Sequence, residues 1–179
     1  MWVETLLVLT ASVFVFLALL AGVIMLFRLR TILFFGGAPF VASSRANIAK
    51  AISLAEIKPH DRVADLGSGD GLVLFAAAQT QAGEIVGFEI DPLLVASSLR
   101  DAKKKGLEKR VRIETRNFWN ADLSPFDVVF VFQIPYAMPR LAEKLKRELK
   151  PGSRVISNNF RFKDWTPAAQ DGDVFLYLI

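Results

Sequence analysis

The sequence contains no cysteine and a single histidine, His60. Without thiols there are no disulfides, no thiolate metal ligands and no cysteine nucleophile, and one imidazole by itself makes no convincing metal site. No basic residue precedes the N-terminal apolar run and no A-x-A site closes it, which argues for a retained segment over a secretory signal peptide. The start is neither Arg-rich nor amphipathic, so it does not read as a mitochondrial presequence. Charged residues make up only 22% of the chain against 53% hydrophobic, and repeats and low-complexity segments are absent. A disordered tail and a fibrous rod are thereby excluded, and 179 residues fit one domain with or without an appendage.

The apolar residues are pooled. From Thr5 to Phe27 there are 23 residues without a charge, and a helix of that length reaches roughly 35 Å, enough for a hydrocarbon core of about 30 Å. Only Glu4 precedes it, whereas Arg28, Arg30, Arg45 and Lys50 follow. The positive-inside rule therefore expects the N-terminus outside, Trp2 at the outer interface and all that follows Arg28 in the cytoplasm. The expected organisation is a transmembrane anchor over 1–30, a linker and capping helix over 31–58, and a globular domain over 59–179. Residues 28–179 hold 22 basic and 17 acidic groups, a net +5 that favours contact with anionic lipid heads beside a membrane. The clusters Lys103-Lys104-Lys105, Lys109-Arg110 and Lys144 to Arg147 read first as solvated helix faces and ends.

After a break at Gly36-Gly37-Ala38-Pro39, Ser43 and Ser44 can cap a helix with Ile48, Ile52 and Ala55 on one face. A turn at Pro59-His60-Asp61 ends it, with His60 read as an exposed turn residue. Short apolar runs predict strands at Arg62–Leu66, Glu84–Phe88, Val111–Glu114, Asp127–Phe132, Arg154–Ser157 and Val174–Ile179. Helices are predicted at Leu72–Gln79, Pro92–Lys105 with Gly106 as its stop, and Pro139–Lys150. Strands alternating with helices, most of them apolar throughout, predict an α/β domain with a largely parallel sheet covered on both faces.

Chemistry concentrates where the first strand meets its helix, in Asp65-Leu66-Gly67-Ser68-Gly69-Asp70-Gly71. Glycines let the backbone bend sharply and approach a ligand closely. The spacing is G-x-G-x-G, not the dinucleotide G-x-G-x-x-G, and an acid stands two residues before the first glycine. Asp65 at a strand end suits an ammonium group rather than a pyrophosphate. Glu89, closing the second strand, can accept from both hydroxyls of an adenosine ribose. Asn117 can offer its amide to adenine, with Phe118 as an apolar wall.

These features in order resemble the cofactor site of class I S-adenosylmethionine-dependent methyltransferases. The resemblance implies a Rossmann-like sheet and S-adenosyl-L-methionine as cofactor. It places Asp65 near the methionyl amino group, the loop from Gly67 through Ser68, Gly69 and Asp70 to Gly71 along the methionine and ribose, Glu89 on the ribose, and Asn117 and Phe118 at the adenine. A narrower resemblance rests on Pro39-Phe40-Val41, the glycine loop, Val86 to Glu89, Phe118-Trp119, Val131 to Pro135, Glu143 to Leu145, and Phe160, Phe162, Trp165, Thr166 and Pro167. Over roughly residues 38–179 the chain is similar to the membrane-anchored protein-lysine methyltransferases of the ATP synthase c-subunit and the adenine nucleotide translocase. Ala42 stands where that family commonly has Pro, and with the non-mitochondrial start this fits a prokaryotic relative in a cell membrane; for a eukaryotic chain the resemblance implies the mitochondrial inner membrane.

The resemblance implies a protein partner that presents a lysine at the membrane. The fourth strand ends at Phe132-Gln133-Ile134-Pro135-Tyr136, the position that faces the transferable methyl in this class. Gln133 and the carbonyls around Ile134 and Pro135 are expected to position the nucleophile, with Tyr136 as a wall or acceptor. The Asn/Asp-Pro-Pro-aromatic string of base methylation is absent, which argues against nucleic acid as substrate. A small-molecule or lipid acceptor, and a non-catalytic S-adenosylmethionine-binding membrane protein, are the alternatives. Phe160, Phe162 and Trp165 read either as an acceptor channel or as core.

Overall fold

The computed structural model describes residues 2–35 and 43–179. The chain divides into two compact units, Met1–Pro39 and Phe40–Ile179. The glycine-proline break and the Pro39–Ala42 string lie outside the described residues.

The first unit is a single helix, α1 (Trp2–Phe35). Its stretch Trp2–Leu26 has a mean hydropathy of 2.7 over its most apolar part and buries none of it within the protein. In length and composition it suffices to cross a membrane.

The second unit begins with α2 (Arg45–Ala55), capped by the Ser44 hydroxyl, which accepts from the Asn47 amide N–H at 3.1 Å. The chain then alternates through β1 (Arg62–Leu66), α3 (Leu72–Ala77), β2 (Glu84–Glu89), α4 (Pro92–Lys104) and β3 (Arg112–Thr115). A 3-10 turn at Phe118–Asn120 leads to β4 (Val128–Val131), α5 (Met138–Glu148), β5 (Arg154–Asn158), β6 (Ala169–Asp171) and β7 (Val174–Leu178). The sheet order is β3-β2-β1-β4-β5-β7-β6. Strands β1 to β5 pair in parallel, while β7 runs antiparallel to both β5 and β6. The sheet is therefore mixed at its C-terminal edge, where the sequence predicts one strand and the structure has two. Ala169–Asp171 is short and polar, and only its pairing with β7 makes it a strand.

Alternation along the central strands feeds two cores. Val63, Ile85, Val128, Phe130, Ile156 and Val174 meet α2 and α3 on one face, with Ala102 of α4. Ala64, Val86, Val129, Val155 and Tyr177 meet Met138, Leu141 and Leu145 of α5 on the other. Helices thus cover both faces, as the nearly continuous apolar strands require. On α2 the buried residues are Ile48, Ala51 and Ala55, while Ile52 is only partly covered. A methyl side chain at position 51 lets the helix lie close to the sheet.

Because β1 lies between β2 and β4, the chain leaves it to build the sheet outward in both directions. The crevice at the C-terminal ends of β1 and β4 is the switch point where α/β sheets hold their ligands.

Candidate active site

At that crevice the chain leaves β1 and turns on glycines. Gly67 and Ser68 both donate their N–H to the Phe88 carbonyl, at 2.9 and 3.0 Å, stitching the loop across to β2. Gly67 has φ +85°, and a Cβ there would stand 2.8 Å from Gln133 Nε2. Gly71 has φ +80°, and its Cβ would stand 2.8 Å from the Phe75 ring. The backbone conformation therefore favours glycine at both positions, and at Gly71 the Phe75 ring and Ser98 add crowding. The Asp70 carboxylate accepts from the Leu72 N–H at 3.3 Å and steadies the entry into α3.

Glu89, 7% exposed, is the anchor of the loop. One carboxylate oxygen accepts the Gly69 N–H at 2.9 Å, and the other accepts Ile90 and Asp91 at 2.7 and 2.8 Å. A carboxylate has about four acceptor directions. Three are taken by backbone, so the side chain fixes the loop before any ligand arrives and keeps one direction open.

Asp65 is 2% exposed at the end of β1. Burial pushes its carboxyl up to about 8, and the neighbouring Glu89 and Asp70 push the same way. Among the described residues no group donates a hydrogen bond to it. A buried acid in this state gains from a cationic partner, because the cation restores the ionised form that burial penalises. Beside it the Ser68 hydroxyl is buried with no partner among the described residues, an unmet polar group in the loop itself.

Asn117 turns the chain after β3: its side-chain oxygen accepts the Trp119 N–H at 3.0 Å and opens the 3-10 turn. Phe118 is buried in the α5-side core, its ring 4.8 Å from Trp119. The loop beyond is pinned from α5, where the buried Lys144 ammonium donates to the Ala121 carbonyl and to Glu148, each at 2.7 Å.

Gln133 lies two residues past β4, buried, and its Nε2 donates to the Leu66 carbonyl at 2.8 Å. It ties the end of β4 to the start of the glycine loop. The Ile134 and Pro135 carbonyls accept Ala137 and Met138 N–H groups at 3.0 and 3.3 Å, forming the turn into α5. Pro135 is exposed and Tyr136 is 88% exposed. Phe162 and Trp165 belong to the core, stacked at 4.4 Å beside Tyr177, whereas Phe160 keeps part of its surface. His60 is exposed in its turn.

Sequence reasoning misses an amide cluster at the end of β5. Asn47 Nδ2 donates to Asn158 at 2.8 Å and to Asn159 at 3.4 Å. Val131 pairs with Ser157, so the cluster follows the β5 residue that lies beside the last residue of β4. Consecutive asparagines closing an apolar strand are the signal that points to it. Their partner on α2 stands over a hundred positions away and leaves none.

The glycines, the two buried acids and the unpartnered hydroxyl suit a small polar molecule that carries a cation at the Asp65 end. Residues 65–169 match the ANTKMT methyltransferase domain. A protein-lysine N-methyltransferase of Saccharolobus islandicus is 33% identical over 150 residues, covering 79% of this chain and 93% of the relative. The lysine N-methyltransferase of the ATP synthase c-subunit from Rattus norvegicus is 33% identical over 136 residues, 75% of this chain, and the match spans 62% of its length. The crystal structure of an RNA methyltransferase from Salinibacter ruber in complex with S-adenosyl-L-homocysteine superposes with a TM-score of 0.73 at 31% identity, covering 78% of this chain and 94% of that one. The chain belongs to the ANTKMT-type methyltransferase family, and it is an S-adenosylmethionine-dependent methyltransferase.

Proposed function

We propose that the protein is a protein-lysine N-methyltransferase held in a membrane by α1, with its N-terminus outside and the methyltransferase unit on the cytoplasmic side. The observation that carries the reading is the Asp65–Gly71 loop, locked by Glu89 and tied through Gln133 to the end of β4. It supports a donor cradle that adjoins an acceptor opening. The archaeal protein-lysine relative, matched over 93% of its length, supports the amine acceptor.

When bound, S-adenosylmethionine supplies a methyl group on a sulfonium for in-line displacement. Alignment then matters more than strong acid or base groups. Asp65 holds the methionyl ammonium. Gly67, Ser68, Gly69, Asp70 and Gly71 line the methionine and ribose, and the Ser68 hydroxyl gains a partner there. Glu89 offers its remaining acceptor direction to the ribose, and Asn117 and Phe118 flank the adenine. Gln133, Pro135 and Tyr136 form the acceptor side, where an incoming lysine is desolvated and so presented as the neutral amine. Tethering raises the effective concentration of acceptors in the same bilayer.

Labelled methyl transfer into isolated membranes tests the reading. Label is expected on lysines of membrane proteins and is lost with Asp65→Ala. Label confined to RNA, lipid or small molecules overturns the lysine assignment.

A further inference from the structure

Helix α4 turns a mixed face outward. Val95, Ser98 and Ala102 point to the core, while Leu93 and Leu99 are 61% and 46% exposed. Ala96, Arg100, Lys103 and Lys104 share the exposed side. Between Arg100 and Arg110 stand six basic and two acidic residues, so this stretch alone carries a surplus of four, as large as the formal +4 of the whole chain. Among the described residues little of that charge is neutralised. Lys104 pairs with Asp101 at 3.4 Å, and Arg110 donates to the Thr80 and Ala82 carbonyls.

The same chemistry continues past the end of the helix. Lys105, whose ammonium lies 6.0 Å from the centre of the Phe75 ring, borders a groove of about 500 Å³ between α2 and α3. Ile48, Leu72, Phe75 and Leu107 line it, with Arg45 as a second cation.

A merely solvated helix face needs no large aliphatic side chains, and a single-strand nucleic-acid surface interleaves its cations with aromatics. Exposed leucines flanked by lysine and arginine are what a bilayer interface accepts, the former in the headgroup–acyl boundary and the latter against lipid phosphates. We propose that the outer face of α4, with the adjoining Arg45–Lys105 rim, docks on an anionic phospholipid bilayer. This docking rests on the reading of α1 as a membrane tether. Nine residues separate α1 from α2, and such a chain reaches at most about 32 Å. Leu93 stands four residues beyond Glu89, so docking brings the mouth of the active site to the lipid surface, where a membrane-embedded acceptor presents its lysine.

The absence of cysteine makes single-site labelling clean. The full-length protein, as Ala96→Cys or Ala18→Cys, carries an environment-sensitive dye and sits in nanodiscs of phosphatidylcholine with or without phosphatidylglycerol. The headgroup-level dye at position 96 is expected to be quenched by shallow nitroxide lipids only in the anionic discs. Lys103→Gln and Lys104→Gln in the same chain are expected to weaken that contact roughly fivefold each, and raised salt weakens it further. The dye at position 18 is quenched by deep nitroxides in both kinds of disc if α1 spans. Deep quenching at 18 with an aqueous signal at 96 in every disc overturns the docking face and leaves the tether standing. No deep quenching at 18 overturns the tether. Contact at 96 that does not depend on phosphatidylglycerol, or that a short RNA displaces, overturns the anionic-lipid assignment.

Discussion

The two sides of the crevice are built differently. On the β1–β2 side the backbone is fixed, with Glu89 holding three backbone donors and the loop stitched to Phe88, while the Asp65 carboxyl and the Ser68 hydroxyl stay unpartnered among the described residues. On the β4–β5 side Gln133 is buried, yet Pro135, Tyr136 and Asn159 face solvent. The side assigned to the donor is preformed for one molecule, while the side assigned to the acceptor is a scaffold with replaceable tips. One fold here serves relatives named for protein lysines and one named for RNA.

Breaking the rigid side has the largest expected effect. Glu89→Ala leaves the buried Gly69 N–H and the partly buried Ile90 and Asp91 N–H groups without their acceptor, and an orphaned donor costs about 1–3 kcal/mol where it is buried. A stability loss of several kcal/mol in urea unfolding is expected, together with at least a hundredfold loss of affinity for S-adenosylhomocysteine by calorimetry. Unchanged unfolding would show that the clamp does not hold the loop.

Asp65 sharpens the comparison through pH. Its carboxyl is raised from an ordinary 3.8 to about 8, so the folded state disfavours the ionised form. Its penalty is absent below about pH 4, where folded and unfolded chains are both protonated. It grows as pH rises through the interval and is complete above about 8. The ligand-free enzyme should therefore lose stability from pH 4 to 8, and Asp65→Asn should flatten that decline by an amount on the order of a few kcal/mol. At pH 7 an incoming ammonium drives the carboxyl to ionise, so cofactor binding should release close to one proton. Calorimetry in buffers of different ionisation enthalpy reads this directly, and Asp65→Asn should release none.

The smallest structural effect is expected on the open side. Tyr136→Ala removes a side chain that is 88% exposed, so stability should stay within about 0.5 kcal/mol. Affinity for S-adenosylhomocysteine should not change, while the KM for acceptor in membrane methylation rises. Loss of both affinities together would erase the proposed division of labour.

What could be read from the sequence follows the same line. Apolar runs such as Ile85 to Phe88 and Val128 to Val131 mark the central strands because both sheet faces are buried. The glycine spacing marks the donor loop because few residues tolerate its backbone angles. The connections between distant residues were not legible. Gln133 reads as an acceptor residue, yet its amide is bound 67 positions away at Leu66. Glu89 reads as a ribose ligand, yet most of its acceptor capacity serves its own backbone. Sheet register makes such partners, and no local pattern carries it.

The Glu89 clamp has a kinetic consequence. On the proposed assignment, a cradle shaped in advance grips the nucleoside alike before and after the methyl has left, since the sulfur alone has changed. The spent molecule then competes with the fresh one almost on equal terms. Turnover is therefore expected to slow as the spent nucleoside accumulates and to recover when it is removed.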